Sequence, residues 1–123
     1  MLVMYEFKKR LKGFLDAFRG MRLMLAEFHF KAHLIIALLV HVLGFLLYIS
    51  SIEWCLVWFA IGLVLMAEGL NTDMEYIVDF MAPGYHEKAR QIKDLASGAV
   101  LLATIASAVI GAVIFLPKML EFI

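Results

Sequence analysis

Four side chains with oxygen groups that could bind a cation follow one another closely in the sequence, at Glu68, Asn71, Glu75 and Asp79. On an α-helix of about 3.6 residues per turn they fall within an arc of about 80° and along about 16 Å of the axis. Stacked carboxylates repel one another unless cations or hydrogen-bond donors neutralise them. Mg²⁺ prefers oxygen ligands and commonly binds one or two carboxylates together with substrate phosphates. The spacing therefore predicts a site for a hard cation on one helix face.

A solvated helix face beyond the end of a membrane span is the ordinary alternative for such a cluster, and for Asp79 alone it suffices. It suits Glu68 less well, because ionisable groups near acyl-chain depth are costly and tend to be functional. Asp73 lies about 140° from Glu68 around the helix, away from the arc. It is therefore predicted to face water or a neighbouring element and not to serve as a ligand.

The composition indicates an integral membrane protein with an all-α fold. Of the 123 residues, 64% are apolar, and the mean hydropathy is +0.92, whereas soluble domains contain about 45–50% apolar residues. This length allows a single domain, residues 1–123, with three spanning helices and little else. The single cysteine, Cys55, lies in an apolar run and is predicted to be a small buried residue.

Four helical segments are predicted to position the polar cluster. Residues 3–22 carry apolar side chains at spacings of three and four with Lys and Arg on other faces, which favours an amphipathic helix in the headgroup region of an anionic leaflet. Packing of this helix against the rest of the protein is the alternative. The predicted spans are 32–49, 52–80 with a cytoplasmic extension, and 94–116, which ends at Pro117. The third is rich in small residues, which let membrane helices approach closely.

Two histidines fall in the first predicted span, His33 near the interface and His41 in the middle. A histidine inside a membrane can belong to a proton relay, or it can be a neutral, hydrogen-bonded packing residue. The packing interpretation is favoured.

Basic residues are distributed unevenly along the chain. Seven Lys and Arg precede the first span, Lys88, Arg90 and Lys93 lie between the second and third, and only Lys118 follows the third. Because cytoplasmic loops carry the excess of Lys and Arg, the N-terminus and the polar cluster are predicted to face the cytoplasm. The C-terminus is predicted to lie outside.

Two segments resemble motifs of the prokaryotic diacylglycerol kinase family. Residues 68–79, EGLNTDMEYIVD, resemble its E-x-x-N-[ST]-A-I-E-x-x-[VI]-D motif, with Asp73-Met74 in place of Ala-Ile. Residues 85–100, YHEKARQIKDLASGAV, are similar to its Y-H-x…K-D-x-x-[SA]-[GA]-A-V segment.

Two upstream segments extend the resemblance over nearly the whole chain. Residues 17–20, AFRG, resemble the family's A-x-x-G element. Residues 27–33, EFHFKAH, resemble the E-x-N-[FM]-R-x-H pattern of its Gram-positive undecaprenol kinase branch, with His29 where Asn is expected.

The resemblance implies a homotrimeric enzyme of the bacterial inner membrane, with active sites shared between subunits and no nucleic-acid partner. Such an enzyme transfers the γ-phosphate of ATP to a membrane lipid alcohol with Mg²⁺ as cofactor. Glu68 would be the general base, and Asn71 would lie near the transferring phosphate. The other implied site residues bind metal (Glu27, Glu75), nucleotide (Ala17, Arg19, Glu27, Glu75, Asp79, His86, Lys93, Asp94) or lipid substrate (Glu68, Lys93, Ser97).

Undecaprenol is the preferred acceptor because the basic surface helix, residues 27–33 and the Leu-Pro-Lys segment at 116–118 look closer to that branch. Diacylglycerol is the alternative. A small cation-binding or proton-coupled transport protein, and a non-catalytic membrane partner, are alternatives of other classes. Transport is disfavoured because the carboxylates cluster at one cytoplasmic end and leave the middle of every span without acid.

Overall fold

The protein, described over all 123 residues by a computed structural model, consists of four helices joined by short turns. They are α1 (Leu2–Met24), α2 (Phe28–Leu46), α3 (Ser51–Met81) and α4 (Glu87–Leu120). The prediction of an all-α fold is confirmed. By length and composition α2, α3 and α4 are each able to cross a membrane.

Helix α1 has no buried residue, and its apolar stripe, which includes Phe7, Phe14 and Phe18, is fully open. Its C-terminal end reaches α3, where the Met24 side chain lies against Gly69. Packing of the stripe against the same chain, the alternative considered above, is therefore not the arrangement found. The stripe is free to contact lipid or another chain.

Helix α2 begins four residues before the predicted span and ends three residues before its predicted end, at Leu46. Tyr48 adopts a left-handed backbone with φ of 51°. The Ile49 N–H donates to the Gly44 carbonyl at 3.2 Å, and the Tyr48 N–H donates to the Phe45 carbonyl at 3.4 Å. This is the Schellman arrangement that ends many helices, and it turns Ile49 inward to a buried position.

Helix α3 begins at a capping box. The Ser50 hydroxyl accepts from the Glu53 N–H at 3.2 Å, and the Glu53 carboxylate accepts from the Ser50 N–H at 2.7 Å. Two of the unpaired N–H groups at the helix start are satisfied in this way. The helix then runs without a break to Met81, so the whole polar cluster lies on one rigid element.

Helix α4 starts at Glu87, earlier than the predicted third span, and continues through Pro117 to Leu120. Proline removes one backbone donor but keeps its carbonyl. The Pro117 carbonyl accepts from the Glu121 N–H at 3.3 Å, so a proline this close to the end does not stop the last turn.

The interior is thin and lies mainly between α3 and α4, with α2 against α3. A buried cluster near the predicted outer end contains Ile49, Val57, Ile114 and Phe115. The small-residue face of α4 lets the Ser107 hydroxyl donate to a backbone carbonyl of α3 at 3.1 Å, an interhelical bond of the kind that holds membrane helices together.

Two further expectations can be compared with the structure. The prediction that Cys55 is buried is wrong, because Cys55 is exposed on α3. On a helix that is apolar all round, burial depends on which side of the helix faces α2 and α4. Hydropathy does not show which side that is. The contacts of His41 agree with the interpretation that it is a packing residue. Its Nδ1 lies 2.7 Å from the Ala37 carbonyl, and its ring packs against Trp54 and Trp58.

Candidate active site

The inner face of α3 changes from apolar to polar as the helix approaches its C-terminal end. Val57, Ala60, Val64, Glu68 and Asn71 are all buried and follow one another at spacings of three and four. Glu68 is 5% exposed and Asn71 is 9% exposed. A carboxylate and an amide therefore occupy positions on the stripe that earlier turns fill with valine and alanine.

His33 of α2 lies opposite Glu68. Its Nε2 is 3.7 Å from Glu68 Oε2, and Glu68 has no other ion-pair partner in the chain. Both side chains are largely shielded, at 22% and 6% exposed. A buried carboxylate is costly unless it is paired, and His33, when it is protonated, is the side chain of this chain that is placed to pair with Glu68.

Asn71, one turn after Glu68, has a buried side-chain carbonyl oxygen without a hydrogen-bond partner. Buried polar atoms are nearly always bonded, so this oxygen is available to a donor on a ligand. The neighbouring Thr72 hydroxyl is not available, because it donates to the Glu68 carbonyl at 3.1 Å.

The C-terminal half of the predicted arc is exposed. Glu75 and Asp79 are exposed, although they share the helix face of Glu68. Helix α2, whose His33 contacts Glu68, begins at Phe28; this is about 7.5 Å of helix axis from His33, whereas Glu75 lies about 10.5 Å along α3 from Glu68. The four residues therefore form a buried pair followed by an exposed pair.

Glu27, in the turn between α1 and α2, is brought to the exposed pair by Tyr76. The Tyr76 hydroxyl donates to the Glu27 carboxylate, and Tyr76 directly follows Glu75. The two carboxylates that the resemblance implies as metal ligands are thus at the same level of α3. No group of three or more His, Cys, Asp or Glu side chains suited to a metal forms within the chain. Two carboxylates fit Mg²⁺, which takes one or two of them together with phosphates.

Lys93 of α4 donates to the Asp79 carboxylate across the α3–α4 contact. The side chains are 37% and 62% exposed, so the pair contributes little stability. It does hold an ammonium group beside the exposed carboxylates.

The other predicted residues of α4 lie around Lys93 without joining it. Asp94 is within 4.0 Å of Arg90 on the same helix, and Ser97 is exposed with no side-chain hydrogen bond. His86 caps the start of α4, its Nδ1 accepting from the N–H groups of Lys88 and Ala89. The contact found for His86 is therefore local capping, whereas the resemblance implies nucleotide binding; a neutral ring that accepts at Nδ1 carries its proton on Nε2.

Three predicted positions remain apart from the cluster. Ala17 and Arg19 are exposed on α1, and Arg19 pairs only with Asp16, at 3.4 Å. The structure does not bring them to the carboxylates by any hydrogen bond or ion pair. Asp73 is exposed and forms no side-chain hydrogen bond or ion pair, as expected from its position around the helix.

Sequence reasoning missed two contacts of the site, those of His33 and Tyr76. The signal for the first is depth: His33 near the start of α2 and Glu68 in the second half of α3 lie at the same end of adjacent antiparallel helices. For Tyr76 no comparable signal exists, because its partner Glu27 lies 49 positions away, in a turn.

The sequence model for prokaryotic diacylglycerol kinase matches residues 15–115, which include every predicted site residue. The chain belongs to the prokaryotic diacylglycerol kinase family. It is 37% identical over 115 residues to an undecaprenol kinase of Bacillus subtilis, covering 93% of this chain and 94% of the relative.

Two diacylglycerol kinases are also similar to this family member. The protein from Synechocystis is 36% identical over 94 residues, covering 76% of this chain and 54% of the relative. The protein from Escherichia coli K12 is 32% identical over 83 residues, covering 68% of each chain. The prediction of a membrane-embedded lipid kinase is confirmed, and the transport and non-catalytic alternatives are set aside.

Proposed function

We propose that this family member transfers the γ-phosphate of ATP to the hydroxyl of undecaprenol. The main observation behind this proposal is the buried carboxylate of Glu68, which lies 3.7 Å from His33. The next turns of the same helix carry exposed carboxylates. A base for an alcohol dissolved in lipid must be at the depth where that alcohol meets the interface. The similarity to the Bacillus undecaprenol kinase, which extends over 93% of this chain, supports undecaprenol as the acceptor.

In the proposed reaction Glu68 accepts the proton of the lipid hydroxyl as its oxygen attacks the γ-phosphorus, and the bond to the bridging oxygen of ADP breaks. His33 orients the carboxylate and prevents it from being an isolated buried charge. The unpaired Asn71 oxygen accepts a hydrogen bond from a water on the phosphate. Phosphoryl transfer depends mainly on such positioning and on neutralisation of charge.

The exposed half of the site is proposed to bind Mg-ATP. Glu27 and Glu75 would hold Mg²⁺, which supplies charge neutralisation on the phosphates when bound. Lys93 is held beside them by Asp79 and would contact the phosphates. Asp79, Asp94 and His86 complete the proposed nucleotide site. Ala17 and Arg19 would join it only through movement of α1 or from a neighbouring subunit.

We also propose that the N-terminus and site face the cytoplasm, the C-terminus lies outside, and three chains assemble with shared sites. The basic residues before α2 and between α3 and α4 support this orientation. Native mass spectrometry of the purified protein would give the number of chains.

Diacylglycerol is the second candidate acceptor, because two of the similar proteins are diacylglycerol kinases. The two candidates present the same chemistry, a hydroxyl at the interface, and differ in the chains beneath it. Purified protein given Mg-ATP and each lipid at equal mole fraction in mixed micelles would rank them by the initial rate of lipid phosphate formation.

The first prediction concerns Glu68→Gln in that assay. Loss of a general base lowers turnover by about 10²–10⁴-fold, and the amide keeps the volume of the side chain. Asp73→Asn is the matched control, since Asp73 lies on the same helix but is exposed and unpartnered; it is expected to retain activity. A Glu68→Gln protein as active as the parent would refute the proposed mechanism.

A further inference from the structure

The C-terminal end of α1 lies against α3 through the side chain of Met24. Every residue of α1 is exposed except Gly20 and Met24, which are half-buried. A Cβ added to Gly69 of α3 would lie 2.7 Å from Met24 Cε and 3.2 Å from Met24 Sδ, and within 4 Å of no atom of any other element. The missing side chain of Gly69 therefore leaves a hole that the end of the Met24 side chain fills.

Met24 is tied to Glu27 by the turn that joins α1 to α2. The Glu27 N–H donates to the Met24 carbonyl at 3.0 Å. Glu27 is the residue that precedes the first turn of α2, but its side chain forms no capping hydrogen bond there. The carboxylate instead accepts from the Tyr76 hydroxyl of α3. The position of the Glu27 carboxylate thus depends on where the turn lies on α3.

The turn is attached to one face of α3 at two points. Gly69 and Tyr76 are seven residues apart, which places them about 20° apart around the helix and about 10.5 Å apart along it. This face lies about 80–100° around the helix from Glu68. The hydrogen bond of Tyr76 holds one end of the turn, and the Met24 side chain in the Gly69 hole holds the other. Two separate attachments restrict the turn more than either contact alone.

We infer that Met24 is a positioning residue, which fixes the turn on α3 so that Glu27 reaches the metal. The inference rests on the proposed function, in which Glu27 holds Mg²⁺, and it adds the contact that places this ligand. Met24 itself touches neither metal nor phosphate and acts only through the turn. Because coupling between two sites is reciprocal, metal bound to Glu27 in turn holds Met24 on Gly69.

The first test is the Mg²⁺ dependence of lipid phosphorylation in Met24→Ala. The Mg²⁺ concentration for half-maximal activity is expected to rise about fivefold or more, the usual lower limit of coupling between two sites. The kcat at saturating Mg²⁺ is expected to be close to that of the parent. The thermal midpoint in detergent is expected to change little, because α1 has no buried residue.

Met21→Ala is the matched control, since it makes the same substitution at an exposed methionine of the same helix. Its Mg²⁺ dependence is expected to equal that of the parent. If Met24→Ala and Met21→Ala have the same Mg²⁺ dependence, the inference is wrong.

The second test is a double-mutant cycle between Met24 and Gly69. Gly69→Ala places a methyl group where the Met24 side chain ends, so it is expected to raise the Mg²⁺ requirement as well. The double variant is expected to need no more Mg²⁺ than Met24→Ala alone, because the added methyl group then has nothing to displace. Substitutions that act independently would instead add, and additive shifts would overturn the inference. Gly62→Ala, whose Cβ meets nothing within 4 Å, is the control.

The third test needs no turnover. Hydrogen–deuterium exchange in detergent without metal is expected to be about fivefold or more faster at residues 25–27 in Met24→Ala than in the parent, because exchange reports local opening. Mn²⁺ prefers oxygen ligands as Mg²⁺ does, and its binding can be followed by electron paramagnetic resonance with a non-hydrolysable ATP analogue. The Mn²⁺ affinity is expected to fall about fivefold or more in Met24→Ala and to be unchanged in Met21→Ala.

The outcomes separate the two proposals. A protein that phosphorylates no lipid, but whose Mn²⁺ affinity falls in Met24→Ala, would refute the proposed function and leave the positioning role supported. Lipid phosphorylation with equal Mn²⁺ affinity in the parent, Met21→Ala and Met24→Ala would refute the positioning role and leave the function standing. Faster exchange in Met24→Ala without a change in Mn²⁺ affinity would show that Met24 only packs α1, and would also refute the inference.

Discussion

At the scale of single residues, the site depends on partners that neutralise each carboxylate in a different way. Glu68 is shielded from water and has His33, whereas Asp79 is open to water and has Lys93. A buried carboxylate that loses its partner is left as an uncompensated charge, while an exposed one is solvated. The two ends of the predicted arc therefore differ in how strongly they depend on their neighbours.

A prediction at this scale follows from Tyr76. Its hydroxyl donates to the carboxylate of Glu27, a proposed metal ligand, so Tyr76→Phe is expected to raise the Mg²⁺ concentration for half-maximal activity about two- to tenfold, the size of a net hydrogen bond. The expected kcat at saturating Mg²⁺ is close to that of the parent. Tyr85→Phe, which removes a hydroxyl from an exposed tyrosine without a hydrogen bond, is the control. An unchanged Mg²⁺ dependence in Tyr76→Phe would show that the contact does not support metal binding.

A second residue-scale prediction concerns His33→Leu. Removing the imidazole leaves the buried Glu68 without the side chain that lies 3.7 Å from it, and leaving a buried carboxylate uncompensated is destabilising by several kcal/mol in water-soluble proteins. Activity and the thermal midpoint in detergent are both expected to fall, and Glu68→Gln in the same background is expected to restore the midpoint but not the activity. A midpoint that the second substitution does not recover would contradict the pairing.

At the scale of elements, close packing of helices depends on particular glycines. A Cβ added to Gly44 of α2 would come within 2.7 Å of Trp54 Cη2 and 3.1 Å of Ile49 Cδ1. A Cβ on Gly69 would meet only the end of the flexible Met24 side chain, and one on Gly62 would meet nothing within 4 Å. The indole ring cannot move aside as a methionine can, so Gly44 is the position where α2 and α3 fix their distance.

The corresponding prediction compares Gly44→Ala with Gly62→Ala. Gly44→Ala is expected to lower the free energy of unfolding by about 1–3 kcal/mol, the usual cost of overpacking. Gly62→Ala is expected to leave it unchanged or raise it, because alanine favours the helix. Thermal unfolding in detergent, followed by circular dichroism, provides the comparison. Equal midpoints for the two variants would show that the α2–α3 contact relaxes freely.

At the scale of the whole molecule, most apolar surface is not used within one chain. Large apolar side chains are exposed along all four helices, which is expected where lipid or other subunits supply the surroundings. The amphipathic α1 touches the rest of the chain only near its end. Its stripe of Leu, Phe and Met is suited to the acyl boundary, and its basic residues are suited to anionic headgroups.

The prediction at this scale is the depth of α1 in anionic vesicles. In a Cys55→Ser background, a spin label at Phe14→Cys is expected to relax mainly with oxygen, which concentrates among the acyl chains. A label at Lys12→Cys, on another face, is expected to relax mainly with a water-soluble nickel chelate. If both labels respond to nickel alone, α1 does not lie in the interface.

The amino-acid sequence by itself determined the helices, the membrane class and the angular positions of the polar residues. These are local properties: helix periodicity fixes which side chains share a face, and hydropathy over about 20 residues marks a span. The motif of residues 68–79 was readable for the same reason, since its members are consecutive turns of one helix.

Only the tertiary structure decided which of those residues are buried and what they contact. Glu68 and Glu75 share a face, yet one is buried and the other exposed, because α2 begins at Phe28 and covers only the first. The contact of His33 with Glu68 and the hydrogen bond of Tyr76 to Glu27 join residues far apart in the chain. Such contacts depend on where each helix ends and how closely its neighbour approaches, and the pattern along a single helix carries neither quantity.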